Sequence, residues 1–134
     1  HVVHFYIRKK ENLIDNYESI YDYGIWRVYT EGFAQFYQFK LIDSCIDSRG
    51  EEWLNVCDSN LNKLKGLYLN SLYDNKIGSK YFFGDWYEVE GISDAGYYLG
   101  QKFIEQLTKK YNLYNIAALD FKTLESELIK FLKS

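Results

Sequence analysis

The chain has 134 residues, 47% of them apolar and 26% charged, with a formal net charge of −3, which suits one domain with a real core. Its Lys and Arg residues are scattered and outnumbered by acids, so no nucleic-acid footprint is expected. No apolar run approaches the roughly 20 residues that span a bilayer, so no membrane segment is expected either. Fourteen Tyr, nine Phe and three Trp stand against no Pro and no Met, a bias that an AT-rich genome explains as readily as a function does.

The chain opens on His1-Val2-Val3-His4, which reads as the interior of a longer protein, N-terminally truncated. Residues 1–9 have the character of a helix end: Val2, Val3, Phe5 and Tyr6 are apolar and are expected to run into the core. Arg8, Lys9 and Lys10 stand where a helix C-terminus favours cations. Residues 11–19 are polar and read as a loop. A long helix is expected from Ile20 to Ile46, with Ile25, Val28, Gly32, Phe36 and Phe39 on one face. Ser48-Arg49-Gly50-Glu51 has the form of a capping box for the next helix. That helix carries Trp53, Cys57, Leu61, Leu64, Tyr68 and Leu72 along one stripe, read as core before partner groove.

Residues 73–93 break the helical rhythm with Asp74-Asn75, Gly78, Gly84-Asp85 and Gly91 around Tyr81-Phe82-Phe83 and Trp86-Tyr87. A long aromatic loop or short hairpin is expected here, and such loops often line clefts. Asp94 is expected to cap a helix holding Gly96, Leu99, Gly100, Phe103 and Leu107, with Asn112 as a stop. Asp120 is expected to cap a last amphipathic helix with Leu124, Leu128 and Phe131-Leu132. The fold class is therefore mainly α, a single domain over residues 1–134. Cys45 and Cys57 fit no CxxC clip; they are either two buried small side chains or a disulfide across a helix–helix turn.

The residues that suggest chemistry are His1, His4 and Glu31. A helical zinc site takes two imidazoles one turn apart, on one helix face, and a third ligand from a following helix. His1 and His4 are three apart and do not form HExxH. If His1 is the second His of that motif, the first His and the Glu precede it, and His4 is a neighbour or a plain helix-face residue. Glu31 lies mid-helix among Val28, Phe33 and Ala34, where a carboxylate must be paired, exposed or metal-bound. The bland alternative is an i−4 pair with Arg27 on a solvated face.

The order of these segments resembles the predicted zinc-dependent proteases of the zincin-like, gluzincin type, a bacterial family related to the domain of some gliding-motility lipoproteins. The matching pieces are His1-Val2-Val3, Glu31-Gly32-Phe33-Ala34, Phe83-Gly84-Asp85 and Gly96-Tyr97-Tyr98-Leu99-Gly100, which together span nearly the whole chain. Each piece is weak alone, and the ordered set is moderately specific. The family places Pro and a basic residue before its Gly-Tyr segment, where this chain has Ile92-Ser93-Asp94-Ala95. The resemblance implies the helical C-terminal part of a metallopeptidase domain, zinc as cofactor and a peptide or protein as substrate. His1 and Glu31 would be metal ligands, and Tyr97 or Tyr98 would donate a hydrogen bond to a developing oxyanion. Alone, such a fragment would lack the general base and be inactive. The competing expectation is a non-catalytic helical interaction domain whose aromatic loop is the contact patch.

Overall fold

A computed structural model of the protein describes residues 1–13, 15, 17–41, 49–84 and 88–134. It is mainly α. The helices are α1 (Val2–Lys10), α2 (Ile20–Leu41), α3 (Glu51–Ser59), α4 (Leu61–Leu72), α5 (Ala95–Leu107), α6 (Leu113–Ala117) and α7 (Phe121–Lys133). A 3-10 turn at Lys80–Phe82 and an antiparallel hairpin, β1 (Glu88–Val89) with β2 (Ile92–Ser93), precede α5.

The central helix α2 buries Gly24, Ile25, Val28, Tyr29, Gly32 and Phe33, a stripe repeating at helical spacing. Its partner is α5, and the two backbones meet where neither carries a side chain. A Cβ built on Gly32 would stand 2.3 Å from the Gly100 carbonyl oxygen, and one on Gly100 would stand 2.5 Å from that of Val28. The core then extends through Leu64, Tyr68 and Leu72 of α4 to Leu124, Leu128 and Leu132 of α7, all buried. The helix expected to continue to Ile46 is described as far as Leu41, and residues 42–48 lie outside the described ones.

Several starts and stops differ from the sequence reading. Gly50, at φ 98°, is the N-cap of α3, so Glu51 stands at the first helical position and not at the third, as a box beginning at Ser48 would need. The expected single helix after it is interrupted at Asn60 into α3 and α4, although Cys57, Leu64, Tyr68 and Leu72 still share the buried side. Asp94 does precede α5, but at φ 57°, and its carboxylate makes no cap hydrogen bond. It accepts instead from Arg49 Nε at 3.0 Å and from the Gly84 amide at 3.2 Å. Asn112 starts a helix and does not stop one: its side chain accepts from the Asn115 amide, whereas α5 already ends at Leu107. Asp120 caps α7 as expected, accepting from the Thr123 amide; the Thr123 side chain first, and that amide second, hold its carboxyl below the usual range.

The first helix is turned round relative to expectation. Val2, Phe5 and Tyr6 face solvent, at 82%, 68% and 65% exposure, while His4, Ile7 and Arg8 are buried. Arg8 wins the inner face because the fold satisfies it: its guanidinium reaches Asp15, the Tyr29 hydroxyl and the carbonyls of Ala117 and Leu119. The aromatic loop turns two of its rings inward. Phe82 and Phe83 are buried, their rings set edge-on to Tyr68, and Phe83 also meets Tyr97. Among the described aromatics of residues 73–93, Tyr73 and Tyr81 are exposed, and a contact patch built on this segment loses the two buried phenylalanines. Cys57 is buried, and its pairing with Cys45 falls outside the described residues.

Candidate functional site

His1 and Glu31, thirty positions apart and on different helices, converge. His1 Nε2 lies 3.1 Å from Glu31 Oε2. The imidazole is the more open of the two, 56% exposed against 20% for the carboxylate. Glu31 reaches this place because it follows the buried Val28–Tyr29 pair on α2 and precedes Gly32, the point of closest approach to α5. Partial burial pushes its carboxyl pKa up, and the positive charges of Arg27 and of the N-terminus pull it part of the way back. Arg27 Nε lies 3.7 Å from Glu31 Oε1, so the i−4 pair anticipated as the bland reading is present alongside the His1 contact.

The donor set suits a transition metal in part. Zinc takes imidazole nitrogen and carboxylate oxygen at about 2.0–2.2 Å, and two donors on one tetrahedral ion then sit roughly 3.4 Å apart. The Nε2–Oε2 spacing of 3.1 Å is close to that. Two donors do not make a centre, and among the described residues no group of three or more His, Cys, Asp and Glu is placed to hold a metal ion. His4 does not join them. It is 2% exposed, packed against Trp26, Tyr29 and Phe33 with ring centroids about 5 Å away, and its Nε2 makes no hydrogen bond. Burial above all, then Arg8 and the N-terminal charge, lower its pKa to about 3.

The two tyrosines of the Gly-Tyr segment are separated by the helix. Tyr98 is buried, edge-on to Trp53, and its hydroxyl donates to Asp58 Oδ1 of α3 at 2.5 Å. Tyr97 is half-buried and lies on the α2 side, near Arg27 and set against Phe83. It also carries the Arg49 guanidinium 5.0 Å from its ring centroid. Arg27 is thus the hub of the site: its guanidinium lies 4.7 Å from the Phe83 ring centroid and donates to the Tyr23 hydroxyl at 3.0 Å. Sequence reasoning named Arg27 only as a neutralising neighbour. The signal it missed is the Tyr23-x-x-x-Arg27-x-x-x-Glu31 row, whose members stand one turn apart on a single face.

No family model, curated protein or solved structure matches the chain.

Proposed function

We propose that this chain carries the C-terminal half of a zinc metallopeptidase site, with His1 as second imidazole ligand and Glu31 as the carboxylate ligand from the following helix. The observation that supports the reading is the 3.1 Å approach of His1 Nε2 to Glu31 Oε2 across thirty residues of sequence. In this reading a His and a Glu stand four and three positions before His1, completing HExxH and supplying the third ligand and the general base. Bound zinc would polarise the scissile carbonyl and acidify a water.

The chain's own residues then have distinct tasks. His1, at the start of α1, and Glu31, in the middle of α2, would hold the ion, and the Gly32–Gly100 crossing fixes α2, and with it Glu31, against α5. Arg27 aligns Glu31 from one turn away and keeps its charge in place despite burial. Tyr97, beside Arg27, is the better placed of the two tyrosines to donate to an oxyanion, because the Tyr98 hydroxyl is engaged by Asp58. Arg27 and Tyr97 act on polar groups, which fits a peptide substrate more closely than an apolar ligand.

The test is zinc titration of the chain with its natural preceding residues restored. About one zinc per chain is expected, with Glu31→Ala weakening the affinity about 100-fold and leaving the helical signal intact. Zinc content that is indifferent to Glu31→Ala, or preceding residues without His and Glu at those positions, would sink the reading.

A further inference from the structure

An open cleft of about 560 Å³ lies along the first turns of α2, between that helix and the turn at residues 76–80. Two glycines let the turn close onto the helix. A Cβ on Gly78, which sits at φ 62°, would stand 2.3 Å from Ile20 Cγ2, and one on Gly24 would stand 2.6 Å from Leu72 Cδ2 and 3.3 Å from Ser79 Oγ. Among the described residues the walls carry Arg27, Lys76 and Lys80 with one carboxylate, Glu18; Lys80 and Glu18 each have a partner already, and Ile20 and Ile77 supply apolar lining. The nearby Asp74 carboxylate is turned onto its own loop, accepting from the amides of Lys76 and Ile77.

Arg27 lines the cleft and its Nε also lies 3.7 Å from Glu31, so the cleft and the candidate metal site share one side chain. A guanidinium has five N–H donors; Arg27 gives one to the Tyr23 hydroxyl and turns Nε toward Glu31 at 3.7 Å. From Ile20 to Arg27 the helix rises about 10 Å, and from Arg27 to Glu31 about 6 Å. An extended peptide advances about 3.3–3.6 Å per residue. A chain lying along α2 with its reacting bond at Glu31 would therefore bring its second residue to Arg27 and its next three to the lysines.

We infer that this cleft is a carboxylate-recognising subsite for a peptide, selecting an acidic side chain or a free C-terminal carboxylate two or more residues from the bond held at His1 and Glu31. The inference rests on the peptidase reading for the position of that bond, and on the cleft alone for the preference. Arg and Lys around a partly enclosed cleft favour an anion through charge-assisted hydrogen bonds, and the apolar lining suits the peptide's carbon atoms.

The preference is measurable without metal. Calorimetric titration of the 134-residue chain at low salt would compare Ac-Ala-Glu-Ala-Ala-NH2, Ac-Ala-Gln-Ala-Ala-NH2 and the same Gln peptide with a free C-terminal carboxylate. At least one carboxylate peptide is expected to bind about tenfold more tightly than the uncharged one, and which of the two does so identifies the source of the carboxylate. Lys76→Glu, an exposed substitution, should erase that preference while leaving thermal stability unchanged. Equal affinities, no binding by any of the three, or a preference that survives Lys76→Glu would overturn the inference. Zinc titration of the N-terminally extended protein reads the peptidase proposal separately, so either can fail while the other stands.

Discussion

His4 illustrates how one side chain's chemistry is set by its neighbours. An imidazole enclosed by Trp26, Tyr29 and Phe33, with Arg8 nearby, cannot afford a proton, and its pKa falls from 6.5 to about 3. Below pH 6.5 the unfolded chain takes up a proton that the folded chain refuses until near pH 3, so His4 costs stability progressively as pH falls through that window. The slope from this group is at most about 1.4 kcal/mol per pH unit. Glu31 works in the opposite sense: its folded pKa lies above 4.5, so its contribution is present below that value and is lost as pH rises through the elevated one. Asp120, depressed from 3.8, loses its contribution as pH falls toward its lowered folded value. Replacing His4 isolates its share. His4→Phe should flatten the stability profile between pH 7 and pH 4.5 in urea titrations, and parallel profiles for the two proteins would contradict the assignment. Because the replaced Nε2 makes no hydrogen bond, the variant should be no less stable than the parent at pH 7.

The helices are held at distances that only particular residues permit. Gly32 costs α2 about 1 kcal/mol against alanine, a cost that close packing offsets. The close neighbour is the α5 backbone at Gly100, which cannot move aside as a side-chain tip would. Gly32→Ala should therefore destabilise the protein by about 2 kcal/mol in spite of the better helix propensity. Gly66 is the matched control: it is an exposed interior position of α4 where an added Cβ would meet nothing within 4 Å. Gly66→Ala should stabilise by about 0.5–1 kcal/mol. Thermal unfolding of the two variants would test the pair, and effects of the same sign would show that the crossing is not the constraint. The helical periodicity of α2, α4, α5 and α7 was legible because each buries one stripe. The ends were less so: Asp94 sits at a helix start but spends its carboxylate on Arg49, a partner 45 residues away that no local rule supplies.

Across the whole molecule, Arg8 ties the two ends of the chain together. It is 4% exposed, bonds Asp15 with N···O distances down to 2.6 Å, and reaches over a hundred positions to the carbonyls of Ala117 and Leu119. The Trp26 ring lies beside the guanidinium, its centroid 4.7 Å away, and Tyr29 donates its hydroxyl to the Ile116 carbonyl alongside. Removing the guanidinium would leave Asp15 and two carbonyls without their partner. Arg8→Met is expected to cost about 3 kcal/mol or more in chemical denaturation. A loss below about 1 kcal/mol would mean that the docking of α1 depends on Ile7 and His4 alone. Sequence reading placed Arg8 where a helix C-terminus favours cations; its burial is recognisable only with its acceptors, which come from the loop before α2, from α2, from the end of α6 and from the residues after it.

Composition and periodicity were enough to define a mainly α chain, the buried stripes of its longer helices and the positions of Asp94 and Asp120 before helix starts, because these follow from local geometry and one-sided burial. His1 and Glu31 were also nameable, since imidazole and carboxylate in apolar company are conspicuous. Folding alone brought them to 3.1 Å, turned His4 inward and Val2, Phe5 and Tyr6 outward, and split Tyr97 from Tyr98. It also opened the cationic cleft beside Arg27. Each of these depends on which helix lies against which. That is settled by long-range complementarity, such as two glycines meeting backbone to backbone, and not by any spacing within one segment.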